Sequence, residues 1–264
     1  MGQKVEVSGT GYVLKGGKPL IGGTAYAIKK GRTLIGGTGY DISLLSATPI
    51  SELPVGSIVK IAVDGTLRKF LVVQQGSPSW SYTNANGAWL LMKDAYEIIR
   101  WAGTTDTTSG MYGNYKYSEV NKFLNNTFYG RIEASVRNLI KEVSIPYVAQ
   151  SIGGSVTGRC FALSCTELGW SNVDYMPSEG NVLNYFNGLA AMDARRIAYA
   201  EGEAAEWWTR SAYTYGEYGV PVFYCATNGI YGAANALTTN RYRVRPAFIL
   251  PSDTLVSDDG TITT

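Results

Sequence analysis

The sequence predicts an α+β domain preceded by a short β-hairpin repeat. Three observations carry this. Apolar-rich runs flank Asp64-Gly65 and Asn228-Gly229, the short-hairpin signal, toward both ends of the main domain. Segments with helical apolar spacing lie between those hairpins. A glycine-rich unit repeats ahead of them.

The repeat opens the chain. GTGYVLKGGKPLIG (Gly9 to Gly22) is followed by GTAYAIKKGRTLIG (Gly23 to Gly36), and a third copy starts at Gly37 and stops after Ile42. Each unit reads as a short strand, a basic glycine turn and a second short strand. One such hairpin buries too little apolar surface to stand alone. Residues 1–43 are therefore expected to be an attachment or oligomerisation element. A flexible glycine-rich leader is the alternative. Residues 44–54 read as a linker, and 55–264 as the main domain.

That domain begins as a hairpin, Ser57 to Val63 and Lys69 to Val73 around Asp64-Gly65. Trp89-Leu90-Leu91-Met92 reads as a buried strand. Ser118 to Phe128 has helical spacing, with Ser118 as N-cap and Val120, Phe123 and Leu124 on one face. Glu133 to Val143 reads as a second helix, with Val136, Leu139, Ile140 and Val143 at helical spacing, ended by Ile145-Pro146-Tyr147. Val182 to Phe186 and Met192 to Tyr199 are shorter helical candidates. Strands return from Trp207, with a hairpin at Asn228-Gly229 and a closing strand over Arg243 to Leu250.

Composition excludes several functions. The chain has 264 residues, net charge +2 and no basic stripe, which argues against a nucleic-acid partner. No apolar run reaches transmembrane length, and the first residues lack the apolar core of a secretory signal. There is no His, which removes His-based triads and most zinc sites. The 3 Cys, Cys160, Cys165 and Cys225, are too few for a Cys-only zinc site. Cys160 and Cys165 read as buried small hydrophobes. No metal or cofactor is expected. Glu201, Glu203 and Glu206 read as a solvated acidic loop rather than a glycosidase pair. Ser257-Asp258-Asp259-Gly260 lacks EF-hand spacing and reads as a terminal turn.

The segment Ala212 to Tyr242 stands apart. Tyr213, Tyr215, Tyr218, Tyr224, Tyr231 and Tyr242 alternate with Gly, Ala, Thr and Asn. Tyrosine gives contact area at low rotamer cost, and small residues let the backbone adapt, so this is the composition of a recognition surface. Lys, Gln, Met and Trp are absent and Glu217 is the only Glu. The composition baseline gives about four or five such residues. These are the types that NNY codons, the product of randomising the adenines of AAY codons, cannot encode. A Gly/Tyr-rich antiparallel sheet that happens to lack them explains the same bias. Glu217 itself cannot come from an NNY codon.

Several separated blocks carry a resemblance. They are AWLLMKD (Ala88 to Asp94), VNKFLNNTF (Val120 to Phe128), IKEVSIPY (Ile140 to Tyr147), WWTRS (Trp207 to Ser211) and VRPAFILPSDTLVSDDGT (Val244 to Thr261). Over roughly Pro54 to Thr261 they resemble an uncharacterised domain family of gut Firmicutes and their phages. The WWTRS and VRPA blocks are similar to C-type-lectin folds of the formylglycine-generating-enzyme type. Those folds include variable proteins diversified by retroelements. The leading repeats look like the N-termini of minor phage structural proteins.

The resemblance implies a C-type-lectin-like domain whose variable residues face solvent. Carried over by position, they are Ala212, Tyr213, Thr214, Tyr215, Tyr218, Val222, Tyr224, Ala226, Ile230, Tyr231, Ala233, Ala234, Ala236, Thr238, Asn240 and Tyr242. The frame is Trp207, Trp208, Arg210, Asn228, Gly229, Arg245 and Pro246. Family members usually carry Leu at the Thr209 position and Pro at the Ala212 position, so this chain departs at both. Trp207 and Trp208 point to opposite faces of a strand and are expected in the core. Arg210 and Arg245 are expected to satisfy backbone carbonyls or buried carboxylates.

The functional expectation is a non-catalytic, diversified host-recognition protein of phage or prophage origin. It would assemble in the bacterial cytoplasm and be displayed on the virion tail. Its ligand would be a host surface protein or glycan, with residues 1–43 meeting other phage structural proteins and a homo-oligomer, a trimer favoured, as the assembly. A purely structural tail or capsid component is the alternative. An enzyme on the formylglycine-generating-type fold is a second alternative, opposed by the missing reactive Cys pair and convergent acids.

Overall fold

A computed structural model describes residues 47–102, 113–149, 152–170, 175–213, 221–236 and 241–263, together with paired strands inside the first 43 residues. The expected α+β, C-type-lectin-like class is not what it adopts. Strand accounts for 41% of the chain and helix for 15%, with one helical run of 13 residues, and the sheets are open. The architecture is sheet-rich.

Two five-stranded sheets organise the domain. The first runs in the order Cys160–Phe161, Ala247–Leu250, Ala88–Met92, Thr66–Gln75, Ile58–Val63. All its pairs are antiparallel. Every residue of Ala88–Met92 is buried, as befits a central strand covered on both faces. Asp64 and Gly65 form its tight turn with φ of 50° and 70°, the pair of positive angles a two-residue hairpin of this twist requires.

The second sheet runs Ile98–Arg100, Arg241–Arg243, Trp207–Ala212, Pro221–Cys225, Tyr231–Asn235. Its hairpin turns at Asn228-Gly229, where the Ala226 amide donates to Ile230 O at 2.8 Å. The expected closing strand is two strands, Arg241–Arg243 in this sheet and Ala247–Leu250 in the other. Val244 to Pro246 is the crossing between them.

The helix expected over Glu133 to Val143 is only Ala134–Arg137. The chain then becomes the strand Val143–Ala149, paired with Ile152–Gly158. Val136, Ile140 and Val143 are buried as their spacing required, but a turn and a strand place them there as well as a helix would. Pro146 and the β-branched Val143, Ile145 and Val148 favour the extended form. The candidates at Val182 and Met192 shrink to single turns, Asn184–Phe186 and Ala194–Arg196, and Ala198–Ala200 is a strand. Ser118 caps the helical run as expected, its hydroxyl accepting from the Asn121 amide at 3.0 Å.

Part of the expected linker belongs to the domain. Ala47–Pro49 pairs with Leu255–Ser257, and Ile50 is completely buried. In the repeat, the pairs Gln3–Val7 with Thr10–Leu14, Leu20–Ile21 with Thr24–Ala25 and Lys30–Ile35 with Thr38–Ser43 bracket the Gly-containing junctions between units. They do not bracket the basic glycine segments expected as turns.

Candidate recognition surface

The strand Trp207–Ala212 is buried along its whole length, and it anchors everything proposed for this region. Its two tryptophans do point opposite ways. Trp207 Nε1 donates to Arg196 O at 3.1 Å, and the Arg245 guanidinium lies 5.0 Å from its ring. Trp208 Nε1 donates to Ile99 O at 2.8 Å on the other side.

Around Trp208 stands the first aromatic cluster. Its ring centroid is 5.7 Å from Trp101, 4.5 Å from Tyr242 and 6.3 Å from Tyr224. Tyr224 and Tyr242 lie 4.2 Å apart. Burial, then a hydrogen bond with Tyr224, raises the Tyr242 pKa. Gly232, directly opposite Tyr224, makes room for it: a Cβ there would sit 2.3 Å from Tyr224 Cζ. The glycine lets the tyrosine ring lie across the neighbouring strand.

The second cluster covers the opposite face. Phe223 stacks on Tyr213 at 4.7 Å, and Tyr213 stacks on Tyr175 at 5.9 Å. Tyr231 meets Phe223 edge-on at 6.1 Å and Trp170 at 5.9 Å. Tyr175 is 58% exposed and holds a φ of 63°, unusual for a tyrosine. It lies outside the segment that composition singled out, and no signal in the sequence marks it. Trp80, 96% exposed in the Ser77-Pro78-Ser79-Trp80-Ser81 loop, was equally missed; its setting among Ser and Pro was the available clue.

The expectation of a uniformly solvent-facing set is corrected. Ala212 and Val222 are fully buried, and Ala234 and Ala236 nearly so. Side chains alternate across a strand, and both faces of this sheet are covered here, so every second position turns inward under an aromatic lid. Tyr213, Tyr224, Ala226, Ile230, Tyr231 and Tyr242 are half-buried and Ala233 is exposed. Thr214, Tyr215, Tyr218, Thr238 and Asn240 lie outside the described residues. Of the frame, Trp207, Trp208, Arg210, Arg245 and Pro246 are buried and Asn228 is exposed.

Beneath the sheet lies a buried charge network. Arg210 makes a two-point bridge to Glu167, Nη1 to Oε2 at 2.6 Å and Nη2 to Oε1 at 2.7 Å, both side chains being inaccessible. Tyr82 donates to Glu167 Oε1 at 2.7 Å. Burial alone would lower the Arg210 pKa, but Glu167 holds the guanidinium charged and the net shift is upward. A second buried carboxylate, Glu179, accepts the Val148 amide at 2.6 Å and the Ser211 hydroxyl. Burial pushes it up to about 7, with Arg210 pulling the other way.

Arg245 donates to Met92 O, Lys93 O and Arg196 O. Both arginines thus do the carbonyl and carboxylate work expected of them. Thr209, where the resemblance led to an expectation of Leu, is buried and donates to Phe223 O at 2.8 Å, so its hydroxyl is satisfied. Burial pushes the Cys165 and Cys225 thiols up to about 12, which leaves them poor nucleophiles. Among the described residues no three His, Cys, Asp or Glu side chains group to hold a metal ion. No helix among them is long and apolar enough to cross a membrane. A cleft of about 390 Å³ lies apart from these residues, lined by Thr48, Leu53, Ile58, Val256 and Asp258.

A family model described as Domain of unknown function (DUF6273) matches residues 86–252, more than half of the chain. The chain belongs to this family. The DUF6273 match takes in the whole second sheet and both aromatic clusters. It leaves out the Ile58–Val63 and Thr66–Gln75 hairpin and the sheet that joins Ala47–Pro49 to the C-terminal strands. No curated protein and no solved structure matches the chain.

Proposed function

We propose that the chain is a non-catalytic binding protein that meets a host surface protein or glycan through the 212–242 segment. The observation that carries this reading is the set of half-open tyrosines, Tyr213, Tyr224, Tyr231 and Tyr242, arranged around the central strand Trp207–Ala212, which is buried throughout. Aromatic groups held on a rigid element bind without a large ordering cost. Their small neighbours Ala226 and Ala233 accept substitution without disturbing the frame. The protein is of phage or prophage origin, carried on the tail, with residues 1–43 attaching it to other structural proteins. The absence of Lys, Gln, Met and Trp from the segment supports its diversification. Sequencing many sibling copies tests the reading. Adenine-specific changes confined to Ala212 to Tyr242, sparing Trp207, Trp208 and Arg245, are expected. Changes spread evenly along the chain refute it.

A second reading, a purely structural tail or capsid component, is favoured by one observation. Ala212, Val222 and Ala234 are buried and cannot vary freely. In that case sibling copies keep the tyrosines unchanged.

A further inference from the structure

The edge strand Ile98–Arg100 pairs antiparallel with Arg241–Arg243, in the register Ile98 with Arg243, Ile99 with Tyr242 and Arg100 with Arg241. Arg100 therefore stands directly opposite Arg241. Side chains so placed share one face with Cβ atoms about 4.5–5.5 Å apart, and like charges there repel. A sheet ordinarily relieves such a pair with a carboxylate.

Three nearby carboxylates are engaged elsewhere, and a fourth, Glu206, acts on Tyr242 and makes no ion pair with either arginine among the described residues. Glu201 meets Arg243 Nη2 at 3.2 Å, Glu97 pairs with Arg131, and Glu119 pairs with Lys122 at 2.8 Å. Among the described residues neither Arg100 nor Arg241 has an ion pair or a side-chain hydrogen bond. Arg100 Nε is buried without any acceptor. A buried donor left without an acceptor is costly. Arg243, two residues along the same face, is by contrast satisfied twice, by Glu201 and by Tyr96 O at 2.8 Å.

Backbone bonds hold the strand pair next to Arg100 and beyond Arg243. Trp101 is buried, and its carbonyl accepts the Glu119 amide at 2.8 Å, tying the edge strand to the start of the helical run. The Tyr96 amide donates to Val244 O at 2.8 Å, and the Val244 amide to Glu97 O at 2.9 Å. The strand pair that carries the two arginines thus stands at the rim of the sheet.

We infer that Arg100 and Arg241 form a binding site for an oxyanion: a phosphate, sulfate or carboxylate group of a ligand. The planar fork of arginine matches two oxygens of such a group, and an anion between two forks removes their repulsion. Neighbouring residues of a strand point to opposite faces, so this site lies on the other side of the sheet from Tyr242. It does not rest on the tyrosine-surface reading.

The test is equilibrium unfolding of the full chain titrated with inorganic phosphate, sulfate or acetate, against sodium chloride at matched ionic strength. Wild-type protein is expected to gain stability from an oxyanion beyond the chloride control. The apparent affinity should fall at least tenfold in Arg100→Gln and in Arg241→Gln, and stay unchanged in Lys69→Gln, a surface charge control in the other sheet. A response to acetate assigns a carboxylate ligand, and a response to phosphate and sulfate alone a tetrahedral one. Equal responses to chloride and oxyanions overturn the inference, as does an oxyanion effect that survives in Arg241→Gln, whose exposed side chain is not needed for folding.

Discussion

Replacing Glu179 by Gln isolates one proton. Glu179 is inaccessible to solvent, and its carboxylate ties Val148 of the Val143–Ala149 strand to Ser211 of the Trp207–Ala212 strand. The Arg210 guanidinium is bonded to Glu167, and Glu179 feels its charge only at a distance. Burial raises Glu179 from 4.5 to about 7. The folded state therefore binds this proton more tightly than the unfolded chain does. The resulting stabilisation is complete below the unfolded pKa and disappears as pH rises through the folded one. A rise from 4.5 to about 7 corresponds to about 3 kcal/mol. Wild-type stability should thus fall by roughly that amount between pH 5 and 8. Asp193 and Asp259 are shifted the other way, by Arg195 and by the Ser257 and Thr261 hydroxyls respectively, so they titrate below this window. The Gln carbonyl can still accept from Val148, and its amide can donate to Ser211, whose hydroxyl turns round. Urea unfolding at several pH values, with a constant slope against denaturant, measures the effect. Glu179→Gln should match wild type near pH 5 and exceed it near pH 8. Parallel curves for the two proteins across that window would refute the argument.

Other outcomes follow from packing. Trp208→Ala removes a fully buried ring between Trp101 and Tyr242 and should cost roughly 3–5 kcal/mol in denaturant unfolding, through the cavity it leaves. Tyr224→Ala and Tyr231→Ala each remove a half-buried ring packed against other aromatics, so a loss of about 1–2 kcal/mol should accompany any loss of ligand binding. Gly232→Ala drives a methyl group into Tyr224, and near-ultraviolet circular dichroism should report the displaced ring. Deleting residues 1–43 should leave the melting temperature unchanged, because the Ala47–Pro49 pairing survives. Extending the deletion through Leu53 removes the buried Ile50 and should cost about 2–4 kcal/mol.

Local chemistry was the legible part of this fold. Asp64-Gly65, Asn228-Gly229 and Ser118 each act within a few residues, and each forms the turn or cap its identity calls for. The buried tryptophans and the satisfied arginines were legible too, since large or charged groups on an apolar strand have few alternatives. The helix over Glu133 to Val143 was misread for a general reason. Periodicity reports which residues are buried, and Val136, Ile140 and Val143 are, but it does not report which backbone buries them.

The candidate site divides along the same line. Composition singled out Ala212 to Tyr242, but which of its residues can meet a ligand depends on partners far away in sequence. Trp170 and Tyr175 come from a segment some fifty residues upstream and roof one face, while Trp101 comes from more than a hundred residues upstream and supports the other. These contacts turn Ala212, Val222 and Ala234 inward and leave Tyr213, Tyr224, Tyr231 and Tyr242 half open. A tyrosine held between a stack and the solvent is positioned before any ligand arrives. Freedom to vary therefore belongs to outward positions such as Ala233, which contribute least to the stacks, while Gly232 is fixed by the ring that crosses it.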